Sequence, residues 1–255
     1  MVVFVPWAVP GDVVDLQVTR KKNSYCEARI ARFIEKSPKR IEPQCSHFGS
    51  CGGCTWQNLP YAEQLKAKQQ QVFDQLTRIG KIQLPDFSPI MGSVQEFEYR
   101  NKLEFGFSNR RWLQQQDVDA NIDIPDKNAL GFHITGAFDK IYPIERCHLM
   151  YPLHNDIRNS IRDYALQHNL SFYDLRNQRG LLRDMVLRNS STGEWMLIMQ
   201  FRFDESDDES KALDLMQYVA DRFPQITSLM YVNNQKCNDT FGDLEVKTFR
   251  GNDHI

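Results

Sequence analysis

Apolar and polar residues recur with two different periods along this chain of 255 residues, and the change of period divides it near residue 41. Before that point Val2 to Val5, Val13 to Val18 and Tyr25 to Ile34 are short, valine-rich and alternating, as half-buried strands are. Pro10-Gly11-Asp12 and Lys22-Asn23-Ser24 supply turn chemistry between them. The pattern predicts a small antiparallel β unit over residues 1–41. Three strands make a poor closed barrel, and the chain opens inside the first of them, so the unit reads as incomplete, with preceding strands expected. Ser37-Pro38 and Glu42-Pro43 then stiffen the connection onward.

Beyond residue 41 the helical period takes over in three places. The first helix is expected from about Leu59 to Ile79, with Asn58 as cap, Pro60 in the first turn and Gly80 at a left-handed C-terminus. Its stripe of Leu65, Val72, Leu76 and Ile79 needs a partner surface. A second helix is expected from Leu153 to Gln167, on Leu153, Ile157, Ile161 and Ala165. A third begins at the capping box Ser206-Asp-Asp-Glu209 and ends before Pro224. Strand-like runs lie between: Tyr99–Phe107, Ala129–His133, Leu181–Arg188, Glu194–Phe203, Leu229–Asn233 and Glu245–Phe249, with a hairpin at Ser190-Ser191-Thr192-Gly193. The fold class expected is α+β, in two domains, 1–41 and 42–255.

Cysteine spacing changes the picture most. Cys45, Cys51 and Cys54 fall within ten residues in Cys-Ser-His-Phe-Gly-Ser-Cys-Gly-Gly-Cys, and Cys147 follows in Glu-Arg-Cys-His. Three thiols so close make a metal half-site, and a fourth thiolate closes the shell. Gly49, Gly52 and Gly53 let the backbone turn tightly beside a bulky group. Tetrahedral zinc and an iron–sulfur cubane both accept four thiolates, and spacing does not separate them. The first residues lack the basic and apolar regions of a secretory signal, and no apolar run reaches the ~20 residues of a spanning helix. A cytoplasmic protein with metal-binding rather than disulfide-bonded cysteines is expected. Cys26 and Cys237 stand alone and read as small buried hydrophobes. His47 and His148 lie beside ligands already sufficient in number, and read as neighbours or surface residues.

The net charge of −2 conceals an uneven layout. Arg20, Lys21, Lys22, Arg29, Arg32, Lys36, Lys39 and Arg40 face only Glu27 and Glu35 over the same stretch, while Asp204 to Glu209 is acidic. A polyanionic partner is therefore compatible with a near-neutral total. The run Tyr99-Arg100-Asn101-Lys102-Leu103-Glu104-Phe105-Gly106-Phe107 mixes cations with aromatics. Alternation puts Tyr99, Leu103, Phe105 and Phe107 on a core face and leaves Arg100 and Lys102 on the other, as candidate RNA contacts.

Taken together, these blocks resemble the RNA (uracil-5-)-methyltransferases, above all the 23S rRNA type that carries a 4Fe–4S cluster. Val3-Phe4-Val5-Pro6 through Pro10-Gly11-Asp12 is similar to the later part of a TRAM domain, an OB-like RNA-binding module. Ser37-Pro38-Lys39-Arg40, Cys45-x5-Cys51-Gly-Gly-Cys54-x-Trp56-Gln57, Tyr61-x2-Gln64-Leu65-x2-Lys68, Tyr99-Arg100-Asn101-Lys102, Gly131-Phe132 and Cys147 follow in the family's order. The resemblance spans essentially the whole chain. It implies a partial TRAM module followed by a central domain in which Cys45, Cys51, Cys54 and Cys147 ligate the cluster, in a structural and RNA-positioning role. It further implies rRNA as partner, with no membrane and no obligate protein partner, and a monomeric state.

The family adds a cysteine thiolate to uracil C6, methylates C5 from S-adenosylmethionine and removes the C5 proton. That needs a glycine-rich turn after a strand and a nucleophilic cysteine in its own motif. The chain carries neither, and Lys236-Cys237-Asn238 does not match the catalytic segment. No catalytic residue is therefore assigned. The resemblance implies the N-terminal and central part of a larger enzyme, inactive alone, with S-adenosylmethionine bound only by a C-terminal domain beyond Ile255. The competing reading is a non-enzymatic, zinc-stabilised RNA-binding module.

Overall fold

The computed structural model describes residues 1–114, 118–120, 124 and 126–255. By contacts the chain forms two compact units, one of residues 1–49 and 53–96 and one of residues 50–52 and 97–255.

The first unit holds a three-stranded sheet in the order β1 (Val2–Phe4), β3 (Tyr25–Glu35), β2 (Val13–Lys21). β2 and β3 form the expected antiparallel hairpin, closed where the Lys22 N–H donates to the Tyr25 carbonyl at 2.9 Å. β1 instead runs parallel to β3, because residues 5–12 carry the chain away before β2 begins, so the unit is mixed rather than antiparallel. Its turns are locked by one buried carboxylate. Asp12 accepts from the N–H of Val9 at 2.7 Å and of Ser37 at 2.9 Å, and from the Arg40 guanidinium at 2.7 and 2.9 Å. Arg40 also donates to the Trp7 carbonyl and lies 4.8 Å above the Phe33 ring. Those bonds hold the Asp12 carboxyl well below the usual range, the Arg40 bond contributing most.

Helix α1 (Tyr61–Asp74) continues through a π-helical turn at Gln75–Ile79. Pro60 takes the N-cap position, and its carbonyl accepts from the Glu63 and Gln64 N–H groups. Asn58 does not cap the helix. It is buried, and its amide donates to the Trp7 carbonyl at 3.1 Å. Gly80 is right-handed (φ −70°), since the π turn lets its N–H reach Gln75, and the left-handed residue is Lys81 (φ 52°). No residue of α1 is buried.

The second unit is a seven-stranded sheet under two helices, which places it in the expected α+β class. Its order is β10 (Lys247–Gly251), β9 (Ser228–Asn233), β8 (Trp195–Phe201), β7 (Leu182–Asn189), β4 (Lys102–Ser108), β5 (Ala129–Ile134), β6 (Ala137–Pro143). All pairings are antiparallel except β8 with β9, which helix α3 (Asp208–Arg222) connects. Helix α2 (Pro152–Gln167) joins β6 to β7. Leu103, Phe105, Met185, Leu187, Leu197, Met199 and Leu229 meet Ile157, Ile161, Ala165, Leu215, Met216 and Val219 from the helices in one core. The other face carries Val186, Met196, Ile198 and Met230 beneath Phe241, Val246 and Ile255. Strands buried on both faces lose simple alternation, which is why β8 reads as a continuous apolar run.

Three expectations change here. β6 was not foreseen, because Ala137-Phe-Asp-Lys140 looks polar until Asp139 is buried against arginines. The Ser206–Glu209 box does not form; Asp208 instead accepts from the N–H groups of Asp204 and Glu205 at 2.9 and 2.8 Å. Tyr99 lies before β4 and is exposed, while Leu103, Phe105 and Phe107 are buried as expected. Among the described residues no helix is long and apolar enough to cross a membrane.

His154, in the first turn of α2, is buried against Trp195 with ring centroids 4.7 Å apart. Burial pushes its pKa from 6.5 down to about 4. A base whose folded pKa lies below its unfolded value stabilises fully above the unfolded value, and that contribution fades as pH falls from 6.5 toward 4. Denaturation of wild type and His154→Phe at pH 7 and pH 4 should show the variant losing less stability, by about 3 kcal/mol. Parallel losses in the two proteins would remove His154 as the cause.

Candidate functional site

The segment bearing Cys45 and Cys54 is an irregular loop whose shape is set by side-chain amides. The Cys45 N–H donates to Gln57 Oε1 at 3.2 Å, and the Cys45 carbonyl accepts from the Phe48 N–H at 3.1 Å. Gln64, on α1, donates to the carbonyls of Trp56 and Leu59 at 3.0 and 2.8 Å. Phe48 packs edge-on against Trp7 at 5.5 Å. Trp56-Gln57 and the Tyr61-x2-Gln64 motif are thus the supports of the cysteine loop, a role their spacing did not announce. Gly49 (φ +88°) and Gly52 (φ +73°) are left-handed with open space where a Cβ would go, so glycine is required there by conformation and not by crowding.

Cys147 is held from α2. Its N–H donates to Asn155 Oδ1 at 2.7 Å, and Asn155 Nδ2 donates back to its carbonyl at 3.1 Å. Arg158 donates to the same Asn155 oxygen at 3.0 Å and to the carbonyl of Glu145, and its guanidinium lies 5.1 Å above the Phe105 ring. Arg158 is almost wholly buried, and burial brings its pKa down to about 10, with the charge of Cys147 acting in the opposite direction. Asn155 and Arg158 escaped the sequence analysis. Their signal was faint: two polar residues set among Leu153, Ile157 and Ile161.

Among the described residues Cys45, Cys51, Cys54 and Cys147 form no disulfide, and each is half-exposed. Among the described residues no three His, Cys, Asp or Glu side chains are grouped so as to hold a metal ion. The donor chemistry of the separate arms fits a thiolate-ligated group, with reduced sulfurs, left-handed glycines and a cation beside Cys147. Cys26 is buried as expected, whereas Cys237 is exposed, since Asn234 and Arg183 draw the backbone around it into a polar turn.

Arg100 and Lys102 are both exposed. Lys102 is paired with Glu104, its neighbour on the same face of β4, at 2.7 Å. The basic stretch before residue 41 is more neutral than its sequence suggests. Arg20 pairs with Glu27, Arg32 with Asp15, Lys39 with Glu63 and Arg40 with Asp12. Lys39 and Arg40 of the Ser-Pro-Lys-Arg block are thus structural ties. At Gly131 of the Gly-Phe pair, a Cβ would stand 1.9 Å from the Tyr142 carbonyl oxygen, so β5 and β6 approach there only through glycine.

Comparison with known proteins gives this geometry its context. No protein-family model matches the chain. Over 255 residues it is 54% identical to a protein of Bacteroides thetaiotaomicron, aligning all of this chain with 56% of that protein. A protein of Porphyromonas gingivalis is 48% identical over 260 aligned positions, which take in all of this chain and 55% of the relative. Both relatives are named uncharacterized RNA methyltransferases. The chain spans about half the length of these curated relatives. Among solved structures, Pyrococcus abyssi tRNA (uracil-54, C5)-methyltransferase, in complex with S-adenosyl-L-homocysteine, matches 99% of this chain and 52% of its own at a TM-score of 0.61. Sequence identity to it is 20%, so the likeness is one of fold.

If Asn155 fixes the Cys147 backbone, Asn155→Ala should raise the alkylation rate of Cys147 several-fold, read peptide by peptide by mass spectrometry, with Cys26 still protected. An unchanged Cys147 rate would mean that the two hydrogen bonds do not restrain it.

Proposed function

We propose that this chain is the N-terminal and central part of an S-adenosylmethionine-dependent RNA (uracil-5-)-methyltransferase acting on 23S rRNA. The observation that carries the reading is the alignment of the whole chain, at 54% identity, with a relative named an RNA methyltransferase. The ordered cysteine, Trp-Gln and Gly-Phe blocks support the uracil-5 type, and the fold shared with an enzyme of that type is consistent with it. In this reading residues 1–41 are TRAM-like, residues 42–255 form the central domain, and the methyl donor and the nucleophilic cysteine belong to a further domain. The chain's own part is to bind and position RNA in the cytoplasm, as a monomer, with Arg100 and Lys102 among its contacts.

Cys45, Cys51, Cys54 and Cys147 would ligate a 4Fe–4S cluster, which would join segments distant in sequence and stiffen the RNA-binding region. Gln57 and Gln64 shape one arm and Asn155 the other, so the protein's contribution is to hold thiolates at set positions. Protein purified without oxygen should contain about four irons and four acid-labile sulfides per chain, with a broad visible band, and Cys51→Ala should lose them. One zinc and no sulfide would replace this reading by the zinc-stabilised binding module.

Helix α1 and the segment after it leave Val72, Phe73, Ile79, Met91 and Val94 exposed. In the proposed enzyme this apolar surface receives the catalytic part. Amides of residues 61–96 should therefore exchange quickly in the 255-residue chain and slowly in a chain extended to the length of its relatives. Full protection in the shorter chain would argue that this surface needs no further domain.

A further inference from the structure

At the outer edge of the seven-stranded sheet, a group of side chains stands out that core packing does not require. β6 alternates there: Asp139 and Ile141 are buried, while Phe138 is 65% exposed and Lys140 half-buried. A phenyl ring so exposed gains little from burial, yet it has a specific neighbour. The Arg176 guanidinium lies 5.9 Å from its ring centre, while Arg176 Nε donates to Asp139. Arg110 approaches the same carboxylate at 3.7 Å. One chain segment covers the edge strand, its Trp112 N–H donating to Ile141 and its Arg110 carbonyl accepting from Ile141. On that segment Trp112 carries the Lys140 ammonium 5.3 Å above its ring.

These cations are positioned rather than loose. Asp174 accepts from the Arg176 and Asn177 N–H groups at 3.0 and 3.1 Å and from Asn109 Nδ2 at 3.1 Å, which fixes the turn carrying Arg176. The Arg176 hydrogen bond keeps the Asp139 carboxyl below its ordinary range in spite of burial, so it remains ionised and holds the arginine in place. Asp139 faces both guanidiniums and Asp174 lies in the turn under Arg176, so with Lys140 three cations stand against two carboxylates, a local excess of positive charge on a chain whose total is −2. An open aromatic face beside fixed cations matches the two halves of a nucleotide, base and phosphate. A duplex hides its base faces and would leave the phenyl ring unused.

We propose that this edge binds a single-stranded stretch of RNA, a base stacking on Phe138 and the flanking phosphates held by Arg176, Lys140 and Arg110. The proposal rests on the RNA-methyltransferase reading for its ligand class and adds a site to it.

The test uses fluorescence anisotropy of the 255-residue chain with a fluorescein-labelled, uridine-containing single-stranded RNA, across a salt series. Phe138→Ala should raise Kd about tenfold, the loss of one stacked base, and Phe138→Trp should restore binding. Arg176→Gln and Lys140→Gln should each lower the slope of log Kd against log salt by about one. Lys211→Gln, on α3 and paired with Asp207, should change neither. Melting curves matching wild type would exclude unfolding as the cause. Affinities within twofold of wild type for Phe138→Ala, with unchanged salt slopes for the two cation variants, would overturn the site, as would a wild-type chain that binds no single-stranded RNA. Binding lost through Phe138, in a protein that at full length transfers no methyl group, would keep the site and remove the enzyme. Methyl transfer with Phe138-independent binding would do the reverse.

Discussion

Docking α2 onto the seven-stranded sheet places both the apolar core of the second unit and the polar clamp on Cys147. Ile157, Ile161 and Ala165 are buried against the strands, and burying such side chains is worth roughly 1.5–3 kcal/mol each for the larger ones. Once that stripe is seated, Asn155 and Arg158 have no freedom to sit elsewhere. Asn155 closes two hydrogen bonds on Cys147, and Arg158 is buried over Phe105 with its charge facing the carbonyl of Glu145. A buried guanidinium is costly unless it is hydrogen-bonded, so the packing of the helix and the order around the cysteine are not separable.

The first unit achieves order by different means. Its strands bury little beyond Cys26 and Ala28, and Val13 and Val18 on β2 stay exposed. Polar bonds carry the load instead: Asp12 draws together two backbone N–H groups and Arg40, and Arg40 continues to Trp7. Trp7 itself is left-handed (φ 67°), a conformation that a tryptophan keeps only when its surroundings over-determine it. Both the Arg40 and the Asn58 donors converge on its carbonyl, and Phe48 packs on its ring. Several residues that look like RNA ligands by charge are therefore internal ties. At Phe138, by contrast, two guanidiniums share the one Asp139 carboxylate beside an exposed ring.

Much of this was open to inspection in the primary structure. Alternation and turn residues marked the β2–β3 hairpin, and four-residue apolar steps marked α2, because both depend on local geometry that the chain cannot evade. The four cysteines and the glycines between them were equally plain, and two of the three glycines expected to allow tight turning, Gly49 and Gly52, adopt a left-handed conformation. What stayed hidden were relations between residues far apart. The pairing of β1 with β3 in parallel, the strand β6 and the uncapped start of α1 turn on partners that no local pattern names: the path of residues 5–12, the arginines around Asp139, the Trp7 carbonyl that takes the Asn58 amide.

The sequence by itself determined the element types, the α+β class and the set of thiols, since propensity, periodicity and donor chemistry are properties of short stretches. Only the tertiary structure decided which charges are available. Arg40 and Lys39 are tied within the chain because Asp12 and Glu63 are brought beside them, whereas Arg176, held by Asp139 and the Asp174 turn, also stands over an exposed ring. Charge is written in the chain, but whether a charge is already neutralised depends on what folding sets within a few ångströms of it.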